Sequence, residues 1–200
     1  MSMTVPILVA FITGVIGPVI VLILKDYQDK RKKGDMMLDT LHVSERVTAK
    51  LDHIREQIHA DRVWLIQFHN GGNFYPTGKS IAKFSMTYEA VSSGTTSMQN
   101  SFQNIPVTLF SKPINFLLEN DEILISDYKD ESIATYGLKY IADEYNCKSS
   151  YFFAIKTMDD KLVGVIGIDF TKKKLKLNED QLTELSRNAA TIGGVLVPTP

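Results

Sequence analysis

Ser150-Tyr-Phe-Phe-Ala-Ile-Lys156 and Leu162-Val-Gly-Val-Ile-Gly-Ile-Asp-Phe170 are separated by only Thr157-Met-Asp-Asp-Lys161. Both runs are rich in β-branched and aromatic residues, and the polar segment between them is a turn signal, so the pair predicts an antiparallel hairpin. Gly164 and Gly167 leave room for a neighbour to approach closely, while the remaining apolar residues supply both faces of a buried strand. Downstream, Asn178 stands as an N-cap ahead of Glu179 and Asp180, and an amphipathic helix is expected over 178–196.

Upstream of the hairpin, residues 62–69 (RVWLIQFH) form a strand candidate ending at Asn70-Gly71-Gly72. A second strand is expected over 83–91, where Phe84, Met86, Tyr88 and Ala90 alternate with polar residues. A helix over 107–118, limited by Pro113, a short strand at 122–126 and a helix over 132–145 follow. Ahead of the first strand, Met37, Leu41, Val47, Leu51, Ile54 and Ile58 mark a long amphipathic helix from Asp35, after a break at Gly34. The expected fold is therefore α+β, an antiparallel sheet flanked by helices in the GAF/PAS manner and preceded by one transmembrane helix. This divides the chain into a membrane helix 5–24, a basic linker 25–35 and a folded domain 36–197.

The transmembrane expectation rests on residues 5–24, an apolar run without a charge. At 1.5 Å per residue it reaches roughly 30 Å, the thickness of a bilayer's hydrocarbon core. Lys25, Lys30, Arg31, Lys32 and Lys33 all follow it, which predicts a single-pass membrane protein with the N-terminus outside and the C-terminal domain in the cytoplasm. The lone cysteine, Cys147, permits no internal disulfide and agrees with a reducing compartment. Outside 25–35 the chain has seventeen basic residues against twenty acidic ones, which gives no basic face for nucleic acid.

The residues of 148–196, together with Ala60-Asp61-Arg62-Val63 entering a strand behind an amphipathic helix, resemble a GAF domain. The resemblance implies a six-stranded antiparallel sheet with helices on both sides, serving as a small-molecule sensor or dimer module rather than an enzyme. Cyclic-nucleotide-binding members carry an Asn-Lys…Phe…Asp-Glu signature. This chain has no Asn-Lys dipeptide, and Phe116 stands one residue too far from Asp121-Glu122. Bilin-binding members use Cys-His, whereas Cys147 precedes Lys148 and reads as a structural thiol.

Gly72-x5-Gly78-Lys79-Ser80 has one residue too many for a phosphate-binding loop and contains Pro76. It reads instead as a loop covering the sheet, with Phe74 and Tyr75 as an aromatic lid. His42, His53, His59 and His69 lack helix-ligand spacing, so no metal is expected. Without a nucleophile triad or a carboxylate pair, the protein is expected to be non-catalytic and to carry no cofactor. A ligand pocket is expected between the sheet and residues 73–79 together with the region 100–140, with Gln67, His69, Phe84, Tyr88 and Tyr128 as the binding residues.

Two functional classes follow. One is a membrane-anchored sensory or protein-interaction module that binds an unidentified small molecule or protein partner, with a homodimer through 36–60. The other is a lysis protein similar to phage T-type holins, which pair an N-terminal membrane helix with a soluble domain in the periplasm. Orientation separates them.

Overall fold

A computed structural model describes residues 12–74 and 76–196. The chain divides into two compact units, residues 1–44 and residues 45–200. A π-helical turn at Ile12–Ile16 leads into helix α1, Gly17–Gln57, of which residues 17–44 belong to the first unit and 45–57 to the second. The helix runs through the basic segment 25–35 and through Gly34, where the sequence suggests a break; a helical glycine costs only about 1 kcal/mol relative to alanine, and good helix formers flank it. Val15, Ile16, Val19, Ile20, Val21, Leu22, Ile23 and Leu24 are exposed. Residues 5–11 of the expected membrane helix lie outside the described residues. Among the described residues no helix is long and apolar enough to cross a membrane. The apolar portion 12–24 by itself reaches only about 20 Å at the helical rise.

The second unit is built on a six-stranded, fully antiparallel sheet. Its strands are β1 (Arg62–Asn73), β2 (Ser80–Val91), β3 (Ile105–Pro106), β4 (Glu122–Ile125), β5 (Ser149–Lys156) and β6 (Leu162–Phe170), in the order β3-β2-β1-β6-β5-β4. Helix α2 is Ser111–Asn120, α3 is Lys139–Glu144 and α4 is Glu179–Leu196. The expected hairpin is present as β5–β6, with Thr157 N–H donating to Lys161 O at 2.9 Å across its turn.

Strand parity sorts the core into two layers. Val63 and Leu65 share one face with Tyr151, Phe153, Ile155, Ile166 and Ile168, and all are buried. This face meets α4 through Leu185, Ala189 and Ile192, and the end of α1 buries Val47, Leu51, Ile54 and Ile58 in the same unit. Gln57 Nε2 donates to Glu184 Oε1 at 2.8 Å, linking α1 to α4. Those four α1 residues are thus core, as their spacing suggests, and give no free coiled-coil seam. Helix α4 opens on a reciprocal cap: Gln181 N–H donates to Asn178 Oδ1 at 2.8 Å and Asn178 N–H to Gln181 Oε1 at 3.0 Å.

Four elements differ from expectation, each for a local reason. The hairpin β1–β2 extends through Asn70–Asn73, displacing the turn to 74–79, where Gly78 N–H donates to Phe74 O at 2.8 Å. Residues 74 and 76–80 are exposed rather than laid over the sheet; Tyr75 lies outside the described residues. The helix expected over 107–118 begins as a 3-10 turn, Val107–Phe110. It becomes α-helical at Ser111, so that Pro113 sits in the first turn, where its missing N–H is no loss. It ends on Asp121 in the left-handed conformation (φ 64°), whose N–H caps Leu117 O. The helix expected over 132–145 shrinks to α3 because Tyr136 (φ 51°) and Gly137 (φ 84°) break the helical path.

Candidate ligand-binding site

The other face of the sheet carries Arg62, Trp64, Ile66 and Phe68 of β1, matched by Ser150 and Phe152 of β5 and by Val165, Gly167 and Asp169 of β6. A register shift between Leu65 and Ile66 leaves Thr87 without a counterpart, a β-bulge that divides β2. Met86 pairs with Ile66 and Phe84 with Phe68 on this face, whereas Tyr88 pairs with Leu65 and Ala90 with Val63 on the opposite one.

Helices α2 and α3 and the segment 95–110 lie over this face and leave a partly open cavity of about 80 Å³. Its walls are almost wholly apolar: Ile66, Phe84 and Met86 from the sheet, Ile114 and Leu117 from α2, Ile141 from α3. Trp64 forms one side, and its indole occupies the space that a side chain at residue 167 would take. A Cβ on Gly167 would stand 2.1 Å from the indole's Cζ2. The indole also packs at 5.6 Å, centroid to centroid, against Phe152.

One corner of the cavity is polar. Asp169 Oδ2 accepts from Arg62 Nε at 2.8 Å and from Trp64 Nε1 at 2.9 Å, while Oδ1 accepts from Ser150 Oγ at 2.6 Å. Arg62 is 0% exposed. Its Nη1 donates to Thr96 O at 2.7 Å, its Nη2 to Cys147 Sγ at 3.0 Å, and its guanidinium carbon stands 5.6 Å from the Tyr145 ring centroid. Glu89 Oε1 lies 4.0 Å from Arg62 Nε. The Glu89 carboxylate also accepts from the N–H groups of Met98 (2.8 Å) and Gln99 (3.2 Å) and from the Ser97 hydroxyl. Arg62 and Glu89 thereby fasten residues 96–99, including the cavity residue Met98, onto the sheet.

Charge states follow from this packing. Burial is the largest influence and works against the Arg62 cation, but the charge and hydrogen bond of Asp169, together with the nearby Cys147 and Glu89, outweigh it and hold the guanidinium above its ordinary value. Burial, with the Asp169 charge beside it, pushes the Cys147 thiol up to about 12 and the Tyr128 phenol upward as well. Both groups are neutral at pH 7, which suits a binding wall and not a nucleophile. Among the described residues, no three His, Cys, Asp or Glu side chains come together as metal ligands.

Of the five residues singled out from the sequence, Phe84 and Tyr128 line the cavity. Gln67 and His69 do not; they share the parity of Val63 and Leu65, so they stand on the opposite face. His69 Nε2 is 2.9 Å from Ser85 Oγ, a hydrogen-bonded strand-end histidine. Tyr88 is on that same opposite face because of the bulge at Thr87. The region 100–140 contributes to the walls as expected, and the described residues 73, 74 and 76–79 do not. The sequence reasoning missed Trp64, Asp169 and Arg62. A visible signal was available: one acid in the apolar run 162–170 and one base at the mouth of the apolar run 62–68, a pairing that two buried strands require.

No family model matches the chain, and no curated protein matches it. Solved structures do. It is similar to a far-red cyanobacteriochrome photoreceptor, with TM-score 0.61 and 17% identity over 88% of this chain and 97% of that one. A GAF domain from Synechocystis sp. in its photoproduct state gives TM-score 0.58 and 14% identity over 77% and 92%. A far-red-absorbing dark state with bound biliverdin gives 0.55 and 15% over 73% and 84%. At these identities the likeness is one of fold, and the fold of the chain is GAF-like: a six-stranded antiparallel sheet with flanking helices.

Proposed function

We propose that this chain is a non-catalytic, membrane-anchored sensory or protein-interaction module whose GAF-like unit holds a small, largely apolar molecule. The observation that carries the reading is the partly open cavity against the sheet, whose apolar walls and single polar corner have the general form of a ligand site. A bilin, which one structural neighbour contains, does not fit here. About 80 Å³ is far below the roughly 300–1,000 Å³ of sites that enclose drug-sized ligands, and the Cys147 thiol is held by Arg62.

Anchoring is supported by the charge-free run 5–24 and by the exposed apolar side chains of 15–24, and the basic segment after it favours a cytoplasmic location for the GAF-like unit. A homodimer along 36–60 would use the exposed Met36, Met37, Leu38 and Leu41, since the later apolar residues are core.

Trp64, the only tryptophan, lies in the cavity wall and reports its occupancy. Full-length protein in detergent micelles, titrated with 1-hexanol, is expected to show a saturable change in Trp64 emission that Ala142→Leu, a cavity-filling change, abolishes. A response unaffected by Ala142→Leu would overturn the assignment of the cavity. For topology, a C-terminal fluorescent-protein fusion should be bright and a phosphatase fusion inactive; the reverse pattern would overturn the orientation and favour a holin-like arrangement.

A further inference from the structure

Against the outer side of the cavity wall lies a second, polar cleft of about 380 Å³. Tyr128, Ala142 and Cys147 line both spaces, so a single layer of side chains separates them. The cleft brings together Lys129, Lys148 and Lys174 with Asp127 and Asp143, a surplus of one positive charge. Lys174 Nζ is already 2.6 Å from Asp127 Oδ2, which leaves Lys129 and Lys148 facing the cleft together with Asp143. The wall is held by backbone hydrogen bonds of these same residues: Tyr128 N–H donates to Lys148 O at 3.1 Å, and Cys147 N–H to Ala142 O at 2.7 Å.

We propose that cavity and cleft are two halves of one site for a short-chain aliphatic monocarboxylate, with its tail in the cavity and its head among Lys129 and Lys148. This rests on the reading that the cavity is a ligand site. One surplus positive charge complements a monoanion, whereas a doubly charged phosphate would leave a negative charge uncompensated. Set against an apolar cavity of about 150 Å³ that holds a six-carbon ring, about 80 Å³ accepts a tail of about three carbons, so the remaining methylenes cross the wall between Tyr128 and Ala142. A neutral alcohol of the same length would cross the wall in the same way and gain no charge-assisted contact from the lysines.

The test compares sodium hexanoate, 1-hexanol and sodium acetate on the full-length protein in micelles, read by Trp64 emission and by calorimetry. Hexanoate is expected to bind about tenfold more tightly than hexanol, the difference of one charge-assisted contact. Lys148→Ala and Lys129→Ala should each remove most of that advantage, leave hexanol binding unchanged, and leave thermal unfolding unchanged. Raised salt should weaken hexanoate alone. Hexanol binding as tightly as hexanoate, with both lysine variants silent, would overturn the two-part site while leaving the cavity reading intact. Failure of both ligands to bind would overturn the two together. Acetate binding as tightly as hexanoate would also overturn the proposal, because the tail would then contribute nothing.

Discussion

Replacing Gly167 with alanine tests the packing that shapes the cavity. The added methyl would stand 2.1 to 2.6 Å from three atoms of the Trp64 indole, a rigid ring held by Phe152 on one side and by Asp169 at its N–H. The ring must therefore move as a body. Overpacking of this kind costs about 1–3 kcal/mol, and loss of a hydrogen bond to a carboxylate about 1.5–3 kcal/mol, so Gly167→Ala should destabilise the protein by about 3–5 kcal/mol. For a chain of this size that corresponds to a fall in Tm of about 10 °C. Urea unfolding followed by far-UV circular dichroism measures it. The same substitution in a Trp64→Leu background, where no indole meets the methyl, should cost about 1 kcal/mol or less, giving a coupling of at least about 2 kcal/mol. A loss below about 0.5 kcal/mol in the wild-type background, or an equal loss in both, would refute the argument.

Asp169→Ala leaves the buried Arg62 cation without its main partner and strands two further donors, so a loss of about 3–5 kcal/mol is expected in urea unfolding. Asp61 is held below its ordinary value of 3.8. Burial alone would raise it, but the N–H groups of Lys172 and Thr171 and the Lys172 ammonium outweigh that. A depressed carboxyl stabilises the fold fully above its unfolded value, and that contribution is lost as pH falls through the lower folded value. Stability should therefore fall below about pH 4, and Asp61→Asn should flatten that acid limb when unfolding is measured against pH. With its thiol raised from 9.0 to about 12, native Cys147 carries about a thousandfold less thiolate than an unperturbed cysteine, and iodoacetamide labelling followed by mass spectrometry should be slower in the folded protein by a comparable factor.

The hairpin β5–β6, helix α4 with its Asn178 cap and the strand of Arg62 could all be found in the sequence because each is specified locally, by alternation, turn chemistry or capping. What escaped depends on distant partners. Strand β3 is two residues long and exists only because β2 offers it an edge. Arg62 and Asp169 lie 107 positions apart, and each in isolation looks like a strand-end surface charge. In 83–91 the even-numbered residues look like a single face, and only pairing with β1 reveals that the bulge divides them. That division placed Phe84 at the cavity and Tyr88 away from it. Tyr128 was recoverable because it follows a short buried strand on the covered side.

The bulge at Thr87 also bears on how the gene can change length. Met86 and Tyr88 already point to opposite layers, so an in-frame loss of codon 87 would set them side by side with both layers still correctly supplied. Such a loss would forfeit only local bonds, including the one from Gln99 Nε2 to Thr87 O at 2.9 Å. Removal of codon 85 or 89 would also cancel the bulge, but it would shift the residue between the gap and Thr87 by one place, sending Met86 or Tyr88 into the wrong layer. Length variants surviving in this strand's lineage are therefore expected at codon 87 and among the exposed turn residues 74 and 76–79, rather than at codon 85 or 89.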